Sequence, residues 1–304
     1  MVKLYIGVTD YDWFRYLEAR PNLSEVNFWQ PGGRTNFRAI APGELFLFKL
    51  RAPRSYIVGG GIFAHSSILP VSLAWEAFGE SNGAPSLDVL RQRIGQHRRN
   101  TDDLKYDYQI GCRIIAEPFF FPESEWMPVP QSWAPNIVSG RTYEASDLEV
   151  RHLWNSIAER LEYRRAPSFS ESRYGEPTLI RPRLGQGSFR IAVTDAYRRH
   201  CAVTGEKTLP ILDAAHIRPY ADGGPHDIRN GLLLRTDVHR LFDLGYVTVD
   251  NAYRFVVGKR LKEDFENGKH YYAMHGEQVN VPNNPLQHPD LGSLRWHQDK
   301  RFLG

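Results

Sequence analysis

The stretch "LDAAHIRPYADGGPHDIRNGLLLRTDVHRLFD", Leu212 to Asp243, puts three histidines, an asparagine and several aspartates into one short run, divided by the pair Gly223-Gly224. Imidazoles and carboxylates this dense, beside the apolar run Leu232–Leu234, are unusual for a packed core and point to a site. Leu209 to Ala215 reads as a strand ending at His216, "RPYADGGPHDIRN" as a loop and "GLLL" as a second strand. "TDVHRLFDLG" reads as a helix with Thr236 as N-cap and Gly245 as its stop. His239 and Asp243 stand at i and i+4 and so share a helical face. Strand alternation puts Asp213 and Ala215 on one side and His216 on the other.

A divalent cation fits between Asp213 and the helix face bearing His239, with His216 close by and free of the metal. That combination suits phosphodiester hydrolysis. An uncoordinated imidazole takes the proton from an attacking water, while a cation stabilises charge on the scissile phosphate and the leaving oxygen. Arg218, two residues after His216, either neutralises the phosphate or forms a surface salt bridge. His226 reads as a surface or hydrogen-bonded loop residue, and Cys201 as a small buried hydrophobe.

The order His216, Asn230 (14 residues on) and His239 (23 residues on) resembles the HNH nuclease family with its ββα-metal unit. The flanks "RLGQGSFRIAV", "CAVTG", "NGLLL", "HRLFDLG" and "LRWHQDKRF" extend the resemblance from about Arg183 to Gly304. It implies His216 as general base, Asn230 as the residue that fixes the loop and the orientation of the base, and His239 as a metal ligand. It also implies a divalent cation, Mg2+ first, with Mn2+, Ni2+ and Zn2+ as alternatives. The chain departs from the commonest pattern in three places. Ala215 precedes the base where many members carry a ligand, leaving Asp213 as the substitute. Asp243 stands where a second helix histidine is common. The paired CxxC zinc knots are missing, so this region must hold by packing.

At 304 residues the chain is long enough for two cores, and its formal charge of +3 is modest, although arginine is dense in "RQRIGQHRRN" and between Arg164 and Arg183. Cys112 and Cys201 cannot form a disulfide scaffold, which fits a reducing, cytoplasmic compartment. No segment approaches 18 apolar residues, so a soluble protein without membrane contact is expected. "KLYIGVT", "APGELFLFKL", "SYIVGGGIFA" and "IGCRIIAEPFFF" read as strands, the third with glycines that mark a bulge or a close backbone approach. "SLAWEAFG" reads as a helix, "SLDVLRQRIG" as another capped by Ser86, and "FRIAVTDAYRRH" as a third. A further helix from Ser146 has capping-box spacing to Glu149 and places Val150, Trp154, Ile157 and Leu161 on one face. The expected class is α+β. Residues 1–160 form one domain, 161–180 a linker rich in Pro, Gly, Ser and Arg, and 181–304 a ββα-metal domain.

"DYDWFRYL", "NFWQPGGRTNFRAI", "PGELFLFKL", "YIVGGGIFA" and "AFGESNGAPSL" resemble, more loosely, the PUA-like superfamily, particularly its EVE branch. The resemblance implies a β-barrel with added helices. EVE-like and SRA-like domains joined to HNH units resemble modification-dependent, type IV-like restriction endonucleases, which accept a flipped, modified base in an aromatic pocket. Trp29, Phe28, Asn36, Phe37 and Trp75 are the candidate base-binding residues, with Asn27 a further edge reader. The implied partner is double-stranded DNA carrying modified cytosine, 5-methyl or 5-hydroxymethyl, in a role of antiviral defence. Two alternatives stay open: an RNA-directed protein, since PUA-like domains also bind RNA, and a non-specific or toxin-like nuclease. A double-strand cut needs two active sites, which implies a homodimer.

Overall fold

The computed structural model describes residues 2–33, 35–98, 107–163 and 184–304. Most of the expected linker, the end of the first arginine cluster and the whole of the second lie outside the described residues. The chain divides into two compact units, Met1–Gly185 and Gln186–Gly304. Each mixes helices with sheet, as the α+β reading expects. Among the described residues no helix is long and apolar enough to cross a membrane.

The first unit is built on one sheet. Strands β1 (Lys3–Thr9), β2 (Glu25–Asn27), β3 (Leu45–Leu50), β4 (Tyr56–Pro70), β5 (Gln109–Phe120) and β7 (Gly140–Glu144) run in the order β2-β5-β4-β3-β1-β7, and the short β6 (Met127–Pro128) also pairs with β4. β1 and β3 pair in parallel; the other pairings are antiparallel. Both sheet faces are apolar, so the strands read as nearly continuous hydrophobic runs. Leu4, Ile6, Leu45, Leu47 and Ile62 pack with Val150, Leu153, Trp154 and Ile157 of α4 (Leu148–Tyr163). Alternation sends Tyr5, Phe46 and Phe48 to the opposite face, where they meet Phe28 and Trp13, the latter from α1 (Tyr11–Glu18).

The glycines of β4 behave as expected. A Cβ on Gly60 would stand 2.7 Å from the Phe46 carbonyl oxygen, and the β4–β5 register shifts between Gly60 and Ile62. Helices α2 (Val71–Phe78) and α3 (Leu87–Gly95) follow β4, and the Ser86 side chain accepts the Val89 N–H at the start of α3. The capping box at α4 is not made. The helix begins at Leu148, beyond Ser146, and the Glu149 carboxylate instead accepts the N–H and hydroxyl of Ser132. The Leu161 side chain lies outside what the structure describes.

The second unit opens with α5 (Gln186–Ala196), which starts earlier than expected. The antiparallel hairpin β8 (Leu212–His216) and β9 (Gly231–Arg235) follows, with α6 (Thr236–Asp243) leaving it directly. Leu209–Ile211 is a 3-10 turn with proline at its start, so the strand begins only at Leu212. Thr236 is the first helical residue and not the cap; its hydroxyl donates to the Ile211 carbonyl, drawn away by the neighbouring turn. Gly245, at φ +81°, ends the helix as read. A second hairpin, β10 (Val247–Val249) and β11 (Phe255–Val257), and helices α7 (Arg260–Phe265), α8 (Lys269–Tyr272) and α9 (Leu291–Lys300) complete the unit. The core joins Phe189 and Val193 of α5, Ala215, Leu232, Leu233 and Leu234 of the hairpin, Val238 and Phe242 of α6, and Leu294 of α9.

Cys201 is more than a small hydrophobe. Its buried Sγ accepts the N–H groups of Thr204 (3.4 Å) and Arg235 (3.2 Å) and so ties the "CAVTG" turn to the end of β9. This turn is held by sulfur hydrogen bonds and packing.

Candidate active site

In α6, Val238 and Phe242 face the core, which turns His239 and Asp243 outward on the opposite face. They border a cleft of about 540 Å³ whose lining also includes Asp213, His216, Phe189, Arg190, Tyr220 and Arg301. The expected division of β8 into a base face and a ligand face is not found. Ala215 is wholly buried against the core, while Asp213 and His216 both reach the cleft. A two-stranded ribbon twists strongly, so alternation does not divide its faces cleanly, and Asp213 turns toward α6.

His239 sits between two carboxylates. Its Nδ1 lies 3.3 Å from Asp213 Oδ2 and its Nε2 lies 3.3 Å from Asp243 Oδ2. His216 stacks flat on Phe189, with ring centroids 3.8 Å apart and planes 13° apart. Its Nε2 is 3.0 Å from His226 Nδ1. Burial, and then the neighbouring His226 and His239, lower the His216 pKa to about 4, so the ring is neutral at neutral pH.

Asn230 is 1% exposed, and its amide bonds to backbone groups of the loop. Its Oδ1 accepts the Arg218 N–H, and its Nδ2 donates to the carbonyls of Arg218 and Pro225, each at 2.9 Å. The Asn230 carbonyl accepts the Ile217 N–H (2.9 Å). One buried amide thus closes the whole loop after His216. Gly224 is obligatory there, because a Cβ would land on the Arg218 carbonyl. The Arg218 guanidinium does not line the cleft. Its Nε donates to the Asp222 carbonyl (2.7 Å), and the group lies 5.6 Å from the Trp296 ring. Arg190 and Arg301 are the arginines that border the cleft.

Residues 201–250 match the family described as HNH endonuclease. The matched segment contains Asp213, His216, Asn230, His239 and Asp243, and it implies a phosphodiester hydrolase. No curated protein sequence gives a match. Among solved structures, the ASCH protein from Zymomonas mobilis aligns at 9% identity over 50% of this chain and 94% of its own, with a TM-score of 0.34. A modification-dependent TagI restriction endonuclease aligns at 15% identity over 98% of this chain and 81% of its own, with a TM-score of 0.29. The type IV phosphorothioation-dependent restriction endonuclease ScoMcrA aligns at 12% identity over 78% of this chain and 45% of its own, with a TM-score of 0.18. All three TM-scores are too low to establish a shared fold.

HNH endonucleases generally use a divalent cation. Among the described residues, no three His, Cys, Asp or Glu side chains converge on one point. Asp213 and Asp243 face opposite nitrogens of the His239 ring, so the two carboxylates do not share one nitrogen's ligand position. The donor chemistry still fits. A hard cation held by one or two protein groups keeps its remaining positions for water. With a cation at one His239 nitrogen, the opposite carboxylate receives the remaining N–H, the order seen at many metal-bound histidines.

The sequence reading missed several residues of the HNH unit's surroundings. Phe189 precedes the matched segment. His226 was read as a loop residue, although it lies ten residues after the base. His297 of α9 is 2% exposed and stacks on Phe242; its Nε2–H donates to the Phe242 carbonyl (3.0 Å) and its Nδ1 accepts the Thr248 hydroxyl (2.9 Å). The signal for it was the closing "LRWHQDKRF", noted only as a flank.

In the first unit a cleft of about 370 Å³ is lined by Trp29, Phe28, Trp13, Asp10, Arg51 and His97 among others. Trp29 is 9% exposed, donates Nε1–H to the Asn82 carbonyl (3.0 Å) and faces His97 with ring centroids 6.4 Å apart. Asp10 joins His97 Nε2 (2.8 Å) and Arg51 Nε (3.2 Å), polar groups not foreseen in the sequence. Phe28 belongs both to this lining and to the aromatic core. Asn36 is exposed, Phe37 borders a different hollow with Phe63 and Ser66, and Trp75 on α2 is half-buried; none of them lines this cleft. Asn27 is fully buried, with Nδ2 donating to Asn82 Oδ1 (2.9 Å), which makes it a structural clamp.

Proposed function

We propose that the chain is a metal-dependent endonuclease that cuts double-stranded DNA carrying modified cytosine, acting as a homodimer. The observation that carries the reading is the gathering of His216, Asp213, His239 and Asp243 around one cleft inside the segment matched to HNH endonucleases. His216 is the general base. Its neutral ring takes a proton from water, the resulting hydroxide oxygen attacks phosphorus, and the P–O bond to the leaving oxygen breaks, that oxygen taking a proton from solvent. His239 and one of its two flanking carboxylates, Asp213 or Asp243, would hold the divalent cation, which would supply charge stabilisation at the phosphate and the leaving oxygen, the other carboxylate accepting the remaining His239 N–H. Asn230 keeps the loop beyond His216 closed. Arg190 and Arg301 supply positive charge at the cleft, the role first considered for Arg218.

The Trp29 cleft of the first unit is the candidate pocket for a flipped base. Aromatic walls stack a base face, and the Asp10–His97–Arg51 group offers hydrogen-bonding partners to its edge. The test is cleavage by the full chain, with Mg2+ or Mn2+, of duplexes differing only in unmodified, 5-methyl- or 5-hydroxymethylcytosine, alongside RNA of the same sequence. Cutting that strongly prefers modified duplex and is stopped by EDTA is expected. Equal cutting of all duplexes would leave a non-specific nuclease, and a preference for RNA would replace the DNA reading.

A further inference from the structure

His226 stands outside every role assigned above, yet it makes the closest polar contact to His216. The two rings meet edge to face, with centroids 5.0 Å apart and planes 64° apart. Each is backed by a flat aromatic partner, His216 by Phe189 and His226 by Tyr220, the latter at 4.7 Å and 10°. His226 is placed by the same clamp that closes the loop, since Asn230 Nδ2 holds the carbonyl of Pro225, the residue before it. The Asp227 side chain after it accepts the Arg229 N–H (2.9 Å). A side chain fixed by its neighbours on both sides, with one nitrogen 3.0 Å from the base, is built to hold that base in a set orientation.

The contact decides a tautomer. An Nε2···Nδ1 contact of 3.0 Å holds one proton between its two nitrogens. If His226 Nδ1 carried it, His216 would keep its other proton on Nδ1 and have no lone pair left to accept another. If His216 Nε2 carries it, His216 Nδ1 is unprotonated, and no described residue hydrogen-bonds that atom. We propose that His226 is a positioning residue for His216: its Nδ1 lone pair accepts the His216 Nε2–H and leaves His216 Nδ1 as the proton-accepting atom. The inference rests on His216 being the base. When water yields its proton to His216 Nδ1, the Nε2–H stays donated to His226, which shares the imidazolium charge.

The test is ring-nitrogen NMR on the full chain with 15N-labelled histidine, read beside DNA cleavage in Mg2+. Wild type is expected to show His216 as the Nε2–H tautomer. His226→Leu fills similar space without an acceptor. It should release the tautomer and slow cleavage by about 10- to 100-fold, the size of loss seen when a metal-bound histidine loses its outer hydrogen-bond partner. His226→Asn puts an acceptor oxygen near the Nδ1 position and should restore both. An Nδ1–H tautomer of His216 in wild type overturns the proposal without any variant. So does a His226→Leu protein with unchanged tautomer and rate, or a folded His226→Asn protein as impaired as the leucine variant. His216→Ala separates the two levels: if it cuts normally the base reading fails, whatever the tautomer, whereas an unmoved tautomer with a dead His216→Ala removes only His226.

Discussion

At the scale of single residues, the two low-pKa histidines of the second unit do different work. His216 faces a cleft and stacks on Phe189, so its replacement removes the proton-accepting group at the cleft. His216→Ala is expected to lower cleavage by about two to four orders of magnitude while DNA binding persists, measured by single-turnover cutting beside a filter-binding assay. A rate near wild type would remove His216 from the mechanism. His297 is held neutral by burial and lowered to about 4, despite the Phe242 carbonyl that favours its N–H. The unfolded chain holds this group near 6.5. The folded state therefore binds fewer protons between those values, and the stability from the neutral ring is present above about pH 6.5 and lost as pH falls to about 4. The difference amounts to on the order of 3 kcal/mol for this buried group. Thermal melts of wild type should shift downward across that window, and His297→Gln should show a flatter dependence. An identical slope in the variant would assign the acid sensitivity to other groups.

Among elements, the placement of α5 against β9 shows what the sequence pattern carried and what it left out. Strand, loop, strand and helix were legible from Leu212 to Asp243 because alternation, the glycine turn and the i, i+4 spacing are local. The partners of those side chains were not, because Phe189, Arg190, Arg301 and His297 come from elements before and after that stretch. The same limit separates Trp29 from His97, and it separates Arg301, which borders the cleft, from Arg218, which is near His216 only in sequence. Gly231 is where α5 meets the hairpin. A Cβ there would strike Val193 and lie 3.1 Å from the Phe189 ring. Gly231→Ala is expected to destabilise the second unit by about 1–3 kcal/mol through overpacking. Because Phe189 backs His216, cleavage should fall further than the lost stability explains, measured at a temperature where the variant remains folded. A variant that melts lower but cuts at the wild-type rate would show that the Phe189 stack is not needed to hold the base.

For the whole molecule, the proposed reading assigns recognition to one unit and hydrolysis to the other, and a pair of substitutions can separate them. The first unit's cleft has an aromatic wall in Trp29, but that ring is also core and bonded to Asn82, so its loss alone would confuse folding with recognition. His97 faces the same cleft, is more exposed, and is anchored through Asp10. His97→Ala and Trp29→Ala, each checked by circular dichroism, should both reduce the preference for modified over plain duplex, by roughly 1–3 kcal/mol where a stacking face is removed. Neither should abolish cutting of plain DNA at high enzyme concentration, because His216, His239 and the carboxylates remain. His216→Ala should show the reverse, with full preference in binding and no product. Salt supplies the control: phosphate contacts weaken steeply as ionic strength rises, whereas the ratio between modified and plain duplex should hold nearly constant. If the ratio is already one in wild type at every salt concentration, the first unit does not read the base, and the cleft at Trp29 must serve another ligand.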